Sequence, residues 1–154
     1  MLLIKLHEDT VQYDLSEKQF ASTIEAINQS GKMNIEFYTA QNGRNYGKEY
    51  LLDLYANKNT RKLSYKLVYA MAVYAMTGKI SEPYTKKLQD NIYEFRGRFG
   101  SDWSRALFFH TVGNTALVVN GYTKDQDKLD PQVFAQAQRL RDEYQKCNKH
   151  KEHK

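Results

Sequence analysis

The run from Ile92 to Tyr122 constrains this chain most. Ile92–Phe99, Trp103–Thr111 and Thr115–Tyr122 are rich in aromatic and β-branched residues and follow one another with only short polar breaks. Such runs read as strands, and the last two meet across Gly113-Asn114, a pair that suits a tight hairpin. Directly afterwards Asp130-Pro131 combines a capping side chain with a first-turn proline. A helix is expected there, burying Val133, Phe134, Ala137, Leu140 and Tyr144.

Upstream the periodicity changes. Ser16-Glu17-Lys18-Gln19 has the form of a capping box, and Phe20, Ile24 and Ile27 recur behind it at helical spacing as far as Gly31. Met1–Leu6 reads as a short strand, Asp9–Asp14 as a turn or second short strand, and Asn34–Thr39 as a strand, followed by a turn on Asn42-Gly43. Two helices, Tyr46–Tyr55 and Thr60–Thr77, then form a hairpin that ends at Gly78. Pro83 stops any helical continuation, and Tyr84–Leu88 leads into the strands. Helices precede the strands and one helix closes them, so the expected class is α+β with an antiparallel sheet. The reading gives a single domain with an N-terminal addition and a basic tail over 147–154.

A chain of 154 residues is long enough for one domain with a real core. Its single cysteine, Cys147, excludes a disulfide framework, and the cytosol is the expected compartment. The apolar start is too short for a signal sequence or a membrane span. The net charge of +5 favours acidic partners such as nucleic acid. Twelve tyrosines supply surfaces that are apolar on one side and wet on the other.

Chemistry concentrates in the strands. Arg96, Arg98, Arg105 and Lys124 stand among stiff β-forming residues, which suits phosphate recognition because a planar guanidinium on a rigid support contacts two oxygens at once. Period-two alternation places Glu94, Arg96 and Arg98 on one side of their strand and Tyr93, Phe95 and Phe99 on the other. The aromatic side should be the core, so Arg96 and Arg98 are expected to face outward. Arg105 shares a side with Trp103, Leu107 and Phe109, which predicts a partly enclosed cation. His110, at the hairpin end, is read as a surface residue and Trp103 as a core anchor, with base stacking as its alternative.

The order of Lys86-Lys87-Leu88, Tyr93-Glu94-Phe95-Arg96, Ser104-Arg105-Ala106-Leu107-Phe108-Phe109 and Gly121-Tyr122-Thr123-Lys124 resembles the RelE/ParE toxin superfamily, closest to its HigB-type, phage-derived branch. The likeness covers about residues 34–146, which it implies are a toxin-like domain, and it leaves residues 1–33 as a strand-helix extension. It implies a RelE-like antiparallel sheet, packed against a helical hairpin and a C-terminal helix. It further implies a toxin that cleaves ribosome-bound mRNA without metal or cofactor and is neutralised by an antitoxin protein.

Carried over by position, Arg96, Arg105 and Lys124 take the catalytic places; side-chain chemistry assigns Arg96 and Arg105 to phosphate binding and transition-state charge, and Lys124 or Lys87 to proton transfer. Lys86, Lys87, Arg98, Tyr84 and Tyr122 are then the expected RNA contacts, the two tyrosines flanking the groove. This chain departs from the branch at Asp125, where a second lysine is usual, and Asp127 follows. Those carboxylates favour a rival reading, a non-catalytic protein of the same fold such as a gyrase inhibitor or a phage-encoded host factor. A nucleic-acid-binding module without effect on growth is a third.

Overall fold

The computed structural model describes residues 8–29, 31–125 and 128–152. The strand expected over Met1–Leu6 lies outside them, as does Asp127. A 3-10 turn at Glu8–Thr10 leads to helix α1 (Phe20–Asn28), strand β1 (Asn34–Phe37), helices α2 (Tyr46–Ala56) and α3 (Arg61–Thr77), strands β2 (Thr85–Lys87), β3 (Tyr93–Phe99), β4 (Asp102–Thr111) and β5 (Thr115–Lys124), and helix α4 (Pro131–Glu152). The expected capping box is a turn instead. Ser16 O accepts from the amides of Gln19 and Phe20, and the Asp14 side chain holds the Ser16 amide.

The five strands lie in the order β1-β5-β4-β3-β2. β2–β3, β3–β4 and β4–β5 pair antiparallel, but β1 runs parallel to β5, with Asn34 opposite Thr115. The sheet is therefore mixed, which corrects the expected all-antiparallel one. The strand after a hairpin is fixed by its turn, whereas β1 reaches its partner only after the long α2–α3 excursion, and alternation along β1 carries no information about that direction. Positive φ at Gly113 (77°) and Asn114 (55°) matches the tight turn expected between β4 and β5. Val119 is an extra residue in β5, because the register shifts between Leu107 and Phe108.

Each sheet face has its own apolar cluster. On one side Phe95, Phe108 and Val118 pack against Leu51, Leu67 and Met71 of α2 and α3, and Leu15, Phe20 and Ile27 belong to the same cluster. On the other, Leu107, Phe109, Val119 and Tyr122 pack against Phe134, Ala137 and Leu140 of α4. Asp130 caps α4 by accepting from the Gln132 and Val133 amides, as the sequence indicates. Gly78 ends α3 at φ 67°.

Two contacts set how the layers meet. A β-carbon at Gly97 would stand 2.7 Å from the Leu67 amide nitrogen and 2.9 Å from Lys66 Cβ, so glycine lets α3 lie directly on β3. At the outer edge of β1, the Asn28 amide pairs with both backbone groups of one residue, Nδ2 donating to Ile35 O (2.9 Å) and Oδ1 accepting from Ile35 N (2.8 Å).

Candidate functional site

Register places the cations of β3, β4 and β5 on the α4 side of the sheet in two cross-strand rows. Arg96, Arg105 and Tyr122 form one row; Arg98, Trp103 and Lys124 form the next. The strands thus bring together Arg96, Arg98, Arg105 and Lys124. Directly opposed like charges such as Arg96 and Arg105 repel one another, and a sheet tolerates them only with help from neighbours.

Glu94 gives that help. Its Oε1 accepts from Arg105 Nη1 at 2.9 Å and lies 3.5 Å from Arg96 Nε. Trp103 supplies more: the guanidinium carbons of Arg96, Arg98 and Arg105 lie 4.6, 5.0 and 5.3 Å from its ring centre. Trp103, half-buried, is therefore the hub of the cations rather than a plain core anchor.

The outward orientation expected of Arg96 is not found. Arg96 is 6% exposed, Arg105 1% and Glu94 1%. Both faces of the sheet are covered here, so alternation separates two buried environments instead of core from solvent. Arg98 is exposed and Lys124 half-exposed, and these two form the accessible rim. Lys124 Nζ lies 3.6 Å from Asp130 Oδ2, which joins the end of β5 to the cap of α4. The Val133 amide, the largest influence on Asp130, holds its carboxyl below the usual range. Asp125 is exposed.

The remaining expected RNA contacts disperse. Tyr122 is buried, its hydroxyl reaching Lys128 O (3.4 Å) and its pKa pushed by burial to about 12. Tyr84 packs in the other cluster, edge-on to Tyr69, and donates to Glu8 Oε2 at 3.1 Å. The two tyrosines therefore do not flank one groove. Lys86 sits opposite Glu94 on the cationic face, half-buried, whereas Lys87 sits opposite Tyr93 on the other face, 5.9 Å from that ring. One-residue alternation separates these neighbours, which removes Lys87 as a proton-transfer group at this site.

His110 is exposed, as expected for the hairpin end, and contacts the Tyr74 hydroxyl at 2.5 Å. Sequence patterning alone does not single out Glu94 as the shared anion or Trp103 as the hub; its one signal is the two-residue spacing of Glu94, Arg96 and Arg98, and the register supplies the tryptophan opposite. Among the described residues no three His, Cys, Asp or Glu side chains gather closely enough to hold a metal ion. No described helix is long and apolar enough to cross a membrane.

The family model described as Phage derived protein Gp49-like (DUF891) matches residues 55–142, a span that contains every residue of this cluster. No curated protein matches the chain.

Proposed function

The chain belongs to the Gp49-like family of phage-derived proteins, and on that premise we propose that it is the toxin of a type II toxin–antitoxin pair, a metal-independent endoribonuclease acting on ribosome-bound mRNA. One observation carries this reading: three guanidinium groups gather round Trp103, with Lys124 beside it in register. Cleavage needs a group to take the 2′-hydroxyl proton, cations for the five-coordinate phosphate, and a donor for the departing 5′-oxygen. Arg98 and Lys124, at the rim, meet the phosphate, with Lys124 assigned to proton transfer. Arg96 and Arg105 act from the floor, their charge shared with Glu94. An antitoxin covering this rim would need acidic side chains.

The Glu94 pairing favours a second reading, a non-catalytic growth inhibitor of the same family, because buried ion-paired arginines are poorly placed to receive a phosphate. Induced expression with mapping of transcript ends separates the two. Cut transcripts for wild type, reduced about a hundredfold in Arg98→Ala/Lys124→Ala, support the nuclease. Growth arrest with intact transcripts selects the second reading, and unimpaired growth without an antitoxin excludes both.

A further inference from the structure

Beyond the end of β3, on the opposite side of the sheet from Trp103, lies a cavity of about 310 Å³ walled by Lys62, Tyr65, Lys66, Phe99 and Glu8. Its composition follows from two features of the fold. Lys62, Tyr65 and Lys66 stand at helical spacings of three and four and so share one face of α3. Gly97 lets that face touch β3, which brings it against Phe99, two residues further on.

Phe99 is 46% exposed, unusual for a large apolar ring, and Lys62 Nζ sits 5.0 Å from its centre. Lys66 Nζ lies 3.5 Å from Glu8 Oε1, and the other oxygen of Glu8 accepts from Tyr84. A carboxylate offers about four acceptor positions, so this one can still receive a sugar hydroxyl. Phe99 directly follows Arg98 in the chain and points to the opposite face, so the cavity and the cationic rim lie on the two sides of the same strand end.

We propose that this cavity binds a single-stranded ribonucleotide of the same RNA that reaches the Trp103 rim. The base stacks on Phe99, the phosphate meets Lys62, and a ribose hydroxyl donates to Glu8. The inference rests on the reading of the chain as an RNA-directed protein, and it adds a second contact on the far side of the β3–β4 turn. An acidic peptide is the competing occupant, but the Glu8 carboxylate in the wall argues against it.

The test is fluorescence anisotropy of the full chain with short oligoadenylate RNA, and with oligodeoxyadenylate of equal length, in moderate salt. Phe99→Ala and Lys62→Ala alter exposed side chains, and unchanged thermal unfolding checks that they fold. Each is expected to weaken RNA binding about tenfold, the scale of one lost stacking partner. Glu8→Gln is expected to reduce the preference for RNA over DNA. If wild type binds RNA through Arg98 and Lys124 while Phe99→Ala and Lys62→Ala bind equally well, the cavity proposal fails and the RNA reading survives. If wild type binds neither oligomer, both fall.

Discussion

Glu94 Oε1 accepts from Arg105 Nη1 at 2.9 Å with both side chains almost wholly withdrawn from solvent. Removing one member of a buried pair strands a charge that the interior solvates badly, at a cost of about 3–5 kcal/mol. Glu94→Ala should therefore lower unfolding free energy by about that much in a denaturant titration, because it also leaves Arg96 directly opposite Arg105 without the anion between them. A loss below about 1 kcal/mol would mean that the pair contributes little to this sheet.

Gly97 admits no side chain without displacing α3. Its missing β-carbon would lie 2.7 Å from both the Leu67 amide nitrogen and Ser104 Oγ. Ser104 Oγ also donates to Leu63 O across the same seam. Gly97→Ala is expected to cost about 1–3 kcal/mol through overpacking, read as a lowered midpoint of thermal unfolding. An unchanged midpoint would show that the helix shifts freely.

His110 links stability to pH. Tyr74, Tyr93 and Phe108 take one side of the otherwise exposed His110 ring out of water and lower its pKa from 6.5, while burial pushes the Tyr74 phenol up to about 12. A phenol that keeps its proton donates, so His110 Nε2 accepts, and acid removes that acceptor. Below 6.5 the unfolded chain binds a proton that the folded chain resists, so this contribution to stability falls as pH drops. Denaturation midpoints measured from about pH 7 to about pH 5 should decline, and His110→Gln should flatten the decline.

Asn28 holds β1 through a side chain alone. Asn28→Leu leaves the Ile35 amide and carbonyl without these bonds, which should cost about 1–3 kcal/mol. The exposed strand edge should also raise self-association, measured by sedimentation. A monomer of unaltered stability would contradict the assignment.

Local signals were legible in the sequence, and nonlocal ones were less so. The β4–β5 hairpin, the Gly78 cap and the Asp130 cap each depend on a few adjacent residues, and all appear where those residues indicate. The parallel pairing of β1 depends on a partner eighty-one positions away, Thr115 against Asn34, and no adjacent residue encodes it. At the site, alternation grouped Glu94, Arg96 and Arg98 on one side of β3 and Arg105 with Trp103 on one side of β4, and the cross-strand register, which no single strand encodes, puts both groups on the same face. Alternation could not show that Arg96 and Arg105 are buried around Glu94, because burial is set by elements distant in the chain. The same limit parted Tyr84 from Tyr122: each has the chemistry of a stacking residue, but they pack in different clusters.

The amide of Asn28 acts as a terminal rung on the sheet. With the outward amide and carbonyl of Ile35 both occupied, a foreign strand can add alongside β1 only by first displacing that side chain, so this flank of the sheet is guarded against recruitment of a further strand.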